Sequence, residues 1–439
     1  MLYLTLGGAF IVLVVIGAPI SVALGGATVL AAWLFYPIAD GVIGMKLYNN
    51  LDHFTLMAVP FFFLAASFME HGGLVRHLIA LARTLVGHLK AGLGMATVLT
   101  CIFFAAISGS SPATVAAVGN ILHPALLSEG YSKRFSAGAI VTSGSIGILL
   151  PPSIPLILYG FTTETSIPAL FMAGIIPGLV YGALLILTAR WLAGREGVKV
   201  RHRASAGEIR AAIKRSLPAL MLPIVIVVGI YGYPGFELFG REFSGGSIFT
   251  PTEAAVVTVG LAIVIGRLVY RELRLRDIPA VIAQTVPRVG MIFWITANAL
   301  LFGFFITLIG VPDALASFVA QAGVSPLVFL LCVNLLLLVV GFFLEGVPTI
   351  LIFAPLLQPA AQSLGIDPVH FAIIMVVNIE LGLVTPPVGM NLFVASSVTG
   401  MPVLEVFRAA LPWIVTTLVM LLLVTFVPSL SLALPGLMS

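Results

Sequence analysis

The sequence has very little charge. Only 9% of its 439 residues are Asp, Glu, Lys or Arg, and 60% are hydrophobic; soluble domains carry roughly 25% charged residues. No soluble fold of this size hides so much apolar surface, so a soluble enzyme or binding module is excluded. Polar–apolar alternation is also missing. Runs such as LLCVNLLLLVVGFF, Leu330 to Phe343, do not alternate as the strands of a membrane β-barrel do. Cysteine is nearly absent: Cys101 and Cys332 both lie in apolar runs and read as buried thiols, not a disulfide. The seven histidines show no metal-ligand spacing, and HExxH, GxSxG and facing aspartate pairs are lacking, which argues against an intramembrane enzyme. A net charge of +4 is too small for a nucleic-acid surface and fits basic loops flanking a membrane. The N-terminal stretch has neither a positive n-region nor a small-residue cleavage site, so it reads as retained helix rather than signal peptide. What remains is long apolar runs from end to end: an all-α polytopic membrane protein.

Within those runs, proline marks a repeat. Pro151-Pro152 matches Pro386-Pro387 at an offset of 235; SGSSPATVAAV around Pro112 matches LEGVPTILIFA around Pro348 at 236; GAPISVALGGA around Pro19 matches FTPTEAAVVTV around Pro251 at 232. Three landmarks at nearly constant spacing argue for an internal duplication. Loop charge sets its orientation, because short cytoplasmic loops are rich in Lys and Arg. Arg76, Arg83 and Lys90 precede the first SGSSP, whereas the matching segment, Val311 to Ser325, has no Lys or Arg. Lys133 and Arg134 have no basic counterpart, and the loop from Arg190 to Arg215 matches a C-terminus free of basic residues. Each matched pair is basic on one side only, so the repeats are expected to be inverted, as in secondary transporters.

The expected crossings lie near 2–17, 19–36, 56–72, 135–161, 169–190, 216–235, 251–267, 289–310, 368–398 and 409–431, with both termini periplasmic. An odd number of crossings per half makes 2–36 two helices broken at IGAPIS. Leu89 to Leu127 and Pro326 to Ala361 each enter apolar territory with like flanks, and read as re-entrant hairpins with tips at Ser108–Pro112 and Glu345–Pro348. Residues 75–90 suit an amphipathic helix on the cytoplasmic surface. The expected organisation is scaffold and arm over 1–88, a first transport half over 89–163, and scaffold with the basic loop 190–215 and a second arm over 164–325. A second transport half follows over 326–400, then a last scaffold helix over 401–439.

Two tips and two Pro-Pro breaks would then meet near the midplane. Helix N-termini at the tips attract anions, and carbonyls freed at the breaks coordinate cations. Hydroxyls cluster there. One Na+ is expected at Ser108 with the carbonyls of Gly147, Leu150 and Pro152, and a second among Gly346, Gly382, Thr385 and Val388. An anionic substrate is expected near Ser110, Ser111, Pro112, Thr114, Pro348, Thr349 and Asn391. Glu345 and Glu380 are costly at membrane depth, so coupling or a structural tie is the default expectation for both. Ser and Gly also serve simply to let membrane helices approach; the repeated context favours function at Ser108 to Ser111 and at Thr385. Asn298 and Asn334 lack that context and read as interhelical bonds, and Glu253 as a helix cap.

The motifs AAISGSSPATVAAVG (Ala105 to Gly119), SIGILLPPSIPLILYG (Ser145 to Gly160), FTPTEAAVV (Phe249 to Val257) and NIELGLVTPPVGMNLFV (Asn378 to Val394) resemble the large membrane subunit of tripartite ATP-independent periplasmic (TRAP) transporters, in the family's order along the whole chain. The departure is Glu345, where members often have aspartate. The resemblance implies an elevator fold and Na+-driven uptake of an organic acid across the bacterial inner membrane, with no organic cofactor. It implies two partners: a periplasmic substrate-binding protein, and a small four-helix membrane subunit expected as a separate chain. A stand-alone sodium–dicarboxylate symporter of similar fold is the alternative; opposed hairpins suit alternating access better than a passive channel.

Overall fold

The computed structural model describes residues 2–35, 40–194, 196, 198, 202–232, 236–238, 241–243 and 246–437. Among them the chain forms twenty α-helices: α1 (Leu2–Val15), α2 (Ile20–Phe35), α3 (Asp40–Leu51), α4 (Ala58–His71), α5 (Leu74–Val86), α6 (Gly92–Ser108), α7 (Ser111–Ser128), α8 (Lys133–Ser143), α9 (Ile154–Thr163), α10 (Ile167–Ala193), α11 (Ala206–Tyr231), α12 (Pro251–Val264), α13 (Ile278–Leu308), α14 (Val311–Gln321), α15 (Pro326–Gly341), α16 (Gly346–Ser363), α17 (Pro368–Leu383), α18 (Met390–Thr399), α19 (Val403–Phe426) and α20 (Ser429–Leu432). One small exception to an all-α fold is an antiparallel pair, Phe236–Leu238 with Arg241–Phe243. Six helical segments are long and apolar enough to cross a membrane: Phe54–His71, Ile167–Ala193, Ala206–Tyr231, Pro251–Val269, Leu275–Leu308 and Val403–Phe426.

Helix starts follow local chemistry. The Ser132 hydroxyl accepts from Phe135 N, Asp367 from Val369 N and His370 N, and Ser325 from Val328 N. Each satisfies amides that have no partner in a first turn. Glu253 is the cap its position suggests: its carboxylate takes the Thr250 amide while Thr250 Oγ1 accepts from Glu253 N, a reciprocal capping box.

The expected break at IGAPIS is present. Gly17, at φ +83°, ends α1 and turns the chain into α2, which packs back along it. Both expected hairpins form as helix pairs, α6–α7 and α15–α16, and both expected long crossings after them are broken. The first is α8, a 3-10 turn over Gly144–Ile148, the Pro151-Pro152 bond and α9; the second is α17, the Pro386-Pro387 bond and α18. Both Pro-Pro bonds are cis. Residues 75–90 appear as α5, which buries Leu74, Val75, Leu78, Ile79, Leu81 and Ala82 on one face. Arg76 and Arg83 leave its other face to pair with Glu272 at 3.2 Å and Glu129 at 2.8 Å.

Four expectations need correction. Helix α13 starts at Ile278, eleven residues before 289; Gln284, Thr285 and Arg288 look like loop residues, but Pro287 and its neighbours sit inside one continuous helix. Residues 40–51 form helix α3 rather than a loop. The crossing at 251–267 is α-helical only to Val264, then widens into a π turn over Ile265–Val269. Cys332 is exposed on the outer face of α15 while Cys101 is buried; both thiols are free. Part of the basic loop 190–215, with Arg195, Lys199 and Arg201, and the ends of the crossings at 19–36 and 216–235 lie outside the described residues.

Helices α15 and α17 meet backbone to backbone. A methyl on Gly382 would lie 2.7 Å from the Gly341 Cα, a distance no side chain tolerates. Gly382→Ala should therefore lower the stability of the detergent-purified protein by about 1–3 kcal/mol, the usual cost of overpacking, read as a drop in thermal unfolding midpoint. Gly260→Ala, where nothing lies within 4 Å of the added methyl, should cause no drop; equal losses at both positions would discard the close-contact explanation.

Candidate transport site

Each hairpin tip is docked on the Pro-Pro break of its own half. At the first tip, Gly109 (φ +60°) ends α6 and extended Ser110 starts α7. A side chain on Gly109 would strike the Pro152 carbonyl at 2.6 Å, and the Gly109 carbonyl accepts from Ile154 N at 3.3 Å. Ser108 Oγ lies 2.9 Å from Thr114 Oγ1, and Thr114 Oγ1 donates to the Ser110 carbonyl at 2.8 Å. Gly147 faces this group: a Cβ there would sit 2.8 Å from both the Ser110 carbonyl and Thr114 Oγ1. The Thr114 hydroxyl and the Ser110 carbonyl thus face a backbone kept bare by glycine, with the Ser108 hydroxyl bonded to Thr114 beside them. Ser153 Oγ donates to the Ile148 carbonyl and ties off the break. Of the expected ion-site residues, Ser108 and Gly147 both lie against Thr114, and Pro152 lies against Gly109 of the same tip. Thr114 joins them rather than the substrate group, and the Leu150 side chain packs over Gly178 on α10.

At the second tip the same docking uses other contacts. Gly341 meets Gly382, and Val388 N donates to the Phe342 carbonyl at 3.1 Å. Here the hydroxyls bond within their own helices: Thr385 Oγ1 to the Leu381 carbonyl at 2.6 Å, Thr349 Oγ1 to the Glu345 carbonyl at 2.7 Å. The Gly382 carbonyl accepts from Thr385 N at 3.0 Å. Gly346 packs against Ile379 on α17.

Between the two docked tips lies a cavity of about 350 Å3. Ser110, Ser111 and Pro112 line it from one tip and Glu345, Gly346 and Val347 from the other. Pro348, Thr349, Thr114 and Asn391 do not; all four were expected to face substrate alongside the tip residues, and all four are buried behind the lining. Arg288, not among the expected site residues, reaches the same cavity from α13. Its signal was present: the one charged residue of the apolar helix α13, Ile278–Leu308, where charge is costly and most often functional.

Glu380 occupies a different place. It is 2% exposed and belongs to a polar cluster that joins the two halves. Ser111 Oγ donates to Glu380 Oε2 at 3.2 Å, and Asn391 Nδ2 donates to Ser111 Oγ at 2.6 Å and reaches Ser145 Oγ at 3.4 Å. Glu380 Oε1 and Asn391 Oδ1 have no partner among the described residues. Asn334 makes the interhelical bonds its position suggests, to Thr425 Oγ1 and from Asn378. Asn298 instead donates to the Trp294 carbonyl of its own helix and presses on Gly25. No cluster of His, Cys, Asp and Glu suited to a metal ion occurs among the described residues.

Crossing helices, paired hairpins docked on broken helices and a cavity between the tips define a multi-pass membrane transporter. The chain belongs to the family described as the DctM component of tripartite ATP-independent periplasmic transporters, whose model matches residues 8–430. It is 44% identical to the C4-dicarboxylate TRAP transporter large permease protein DctM of Pseudomonas aeruginosa, over 95% of this chain and 94% of that one, and 41% identical to the protein of the same name from Rhodobacter capsulatus, over 98% of each. It is 38% identical to the isethionate TRAP transporter permease protein DctMQ of Oleidesulfovibrio alaskensis, matching 98% of this chain but 66% of that longer one. Among solved structures, the Alcanivorax borkumensis YdaH transporter shares the fold, with a TM-score of 0.63 at 16% identity over 96% of this chain and 98% of that one. The family consists of transporter permeases, not enzymes.

If the interhalf cluster acts as a unit, its members should not contribute independently. Asn391→Ala and Ser111→Ala should each lower stability by about 1–3 kcal/mol, because each leaves buried polar partners unpaired. In a double-mutant cycle read by thermal unfolding, the two losses should fall short of additivity by about 0.5 kcal/mol or more. Additive losses would show that the two side chains act separately.

Proposed function

We propose that this permease takes up an organic carboxylate, most closely a C4-dicarboxylate, across the inner membrane in symport with Na+, by an elevator motion of the tip-and-break core against the remaining helices. The observation that carries the reading is the cavity between the two docked tips, with Arg288 in its wall. Arg288 supplies a planar pair of donors suited to a carboxylate, and the tips add free helix N-terminal amides. Relatives named for C4-dicarboxylates at 44% and 41% identity support the substrate class. Glu345 lines the same cavity as Arg288, and as a carboxylate it would compete with substrate for the guanidinium.

Na+ enters as a co-transported ion. It is a hard cation that takes oxygen ligands, and the Ser110 and Thr114 oxygens facing bare Gly147, with Ser108 Oγ bonded to Thr114, are such a set. A second ion would lie at the Gly346, Gly382, Thr385 and Val388 tip, where the threonine hydroxyl must first leave the Leu381 carbonyl. The transport core comprises 89–163 and 326–400, related by inverted repetition, and the remainder is scaffold. The third of DctMQ that this chain does not match fits a fused small subunit; a small subunit and a periplasmic binding protein are the partners this reading calls for.

Reconstitution in proteoliposomes tests the reading. Uptake should require Na+, the small subunit and the binding protein together, and Ser108→Ala should raise the Na+ concentration for half-maximal uptake. Uptake by this chain alone would favour a stand-alone symporter, and an unchanged Na+ requirement would remove Ser108 from the ion site. Arg288→Gln should weaken carboxylate uptake about tenfold or more, the range for losing a hydrogen bond to a charged group. Unaltered uptake would discard the clamp.

A further inference from the structure

The transport reading leaves one buried acid unused. Glu380 lies on α17, one layer behind the cavity. Ser111, which donates to Glu380 Oε2, lines that cavity from the first tip, and Met390, next to Asn391, lines it from α18. Three helices therefore supply the cluster: α7 with Ser111, α17 with Glu380 and α18 with Asn391. Ser145 joins it from the first break, 3.4 Å from Asn391 Nδ2. Ser145 and Glu380 hold the same place in the two break motifs, SIGILLPP and ELGLVTPP. The matched position carries a hydroxyl in one half and a carboxyl group in the other, and both come to the join. Two acceptors there have no donor among the described residues: Glu380 Oε1 and Asn391 Oδ1, on side chains closed off from solvent. Ser111 Oγ keeps one lone pair, since it gives its proton to Glu380 and accepts one from Asn391.

A buried carboxyl group short of donors calls for positive charge, and the protein brings none to it. α17 packs against α9, α10, α15, α16, α18, α19 and α20. Of these only α10 and α19 carry Lys or Arg, as Arg190 and Arg408. Tyr181 of α10 is the titratable side chain that faces Glu380, and it is bonded to Thr417 of α19 at 2.7 Å. Arg190 and Arg408 each lie nine residues along the helix from that pair, a rise of roughly 14 Å. His370 is ten residues from Glu380 on α17 itself, and Glu345 faces the cavity. The missing charge must come as an ion. No cluster of His, Cys, Asp and Glu suited to a metal occurs among the described residues, and a single carboxylate suits a monovalent ion better than a divalent one. A proton joins at most two oxygens. A hard alkali cation gathers Oε1, Oδ1 and the Ser111 lone pair together.

We propose that Glu380 Oε1, Asn391 Oδ1 and Ser111 Oγ hold a Na+ ion at the join between the halves, separate from both tips and one layer behind the cavity. Its link to uptake rests on the Na+ symport reading above; its binding does not. A cation there adds positive charge behind the wall on which a carboxylate substrate docks. The test counts radioactive Na+ bound to the full-length chain in detergent, with choline balancing the salt. Glu380→Gln should lower the saturating count by one ion per chain. Asn391→Ala should raise the half-saturating Na+ concentration about tenfold, the scale of one contact to a charged group. Ser108→Ala should remove a different ion, and the double variant with Glu380→Gln should lose both. A count lowered by Ser108→Ala but unchanged in Glu380→Gln would overturn this site and leave the tip reading intact; the reverse would keep this site and discard the tip ion. The unfolding midpoint in choline reports whether each variant folds. The wild-type chain alone gives a second measurement: its infrared difference spectrum, Na+ minus choline, should show a shifted carboxylate stretch. Absence of that shift would overturn the site. A carboxylic acid band that Na+ leaves in place and Glu380→Gln removes would replace the ion with a proton.

Discussion

The structure depends on one constraint: inside hydrocarbon, a backbone amide or carbonyl without a partner costs several kcal/mol, so a helix can stop there only where something else receives its polar groups. Two helices stop here, at Pro151-Pro152 and Pro386-Pro387. In each case a hairpin tip from the same half receives the loose ends. Ile154 N finds the Gly109 carbonyl, and Val388 N finds the Phe342 carbonyl. Neither bond could form at ordinary helix spacing. Gly109 against Pro152, and Gly341 against Gly382, let backbones touch where any Cβ would intervene. Tip and break are therefore one unit in each half, and the cavity is the space left between two such units.

What holds the two units to each other is polar as well as apolar. Ser111 and Ser145 belong to the first half, Glu380 and Asn391 to the second, and their bonds close a buried network across the boundary. The network has donors for one carboxylate oxygen and none for the other. A carboxylate with no cationic side chain beside it stays buried only as the neutral acid or with a cation brought from outside. Either state links the join between the halves to the composition of the bath. Glu345 is placed differently, in the wall of the open cavity, where it can exchange with solvent or substrate. Two glutamates that look alike in the sequence thus occupy unlike environments.

Much of this was legible because proline and glycine act where they stand. The two Pro-Pro pairs, the SGSSP tip and the IGAPIS turn each dictate a local break, and the structure has a break at each. Caps at Ser132, Ser325 and Thr250 fixed helix starts in the same local way. Errors came where the decisive partner is remote. Pro287 and Arg288 resemble a loop, yet they continue a helix because tertiary packing along α13 outweighs the missing donor and the charge. Cys332 sits in a run that is apolar on every side, so nothing local tells its lipid face from its protein face. The Glu380 network joins residues 269 and 280 apart in sequence, and no spacing rule reaches that far.

The two tips are not equivalent in how their hydroxyls are bonded. At the first tip, the Thr114 hydroxyl and the Ser110 carbonyl face Gly147, and the Ser108 hydroxyl bonds to Thr114 beside them, so these oxygens already gather at one place. At the second, Thr349 and Thr385 are bonded back to their own helices, and Gly382 offers its carbonyl to the next turn. Under the Na+ symport proposed above, the first region needs little rearrangement to take a cation, whereas the second must break existing bonds first. That difference orders the two events: an ion at the first tip binds to a site already shaped, and an ion at the second binds only as α17 loosens at its break. Because Gly382 presses directly on Gly341 of the second hairpin, loosening that break and moving that hairpin are one motion. Cation binding at the second tip is thereby tied to the wall of the cavity that carries Glu345, which is where a carboxylate substrate would be felt.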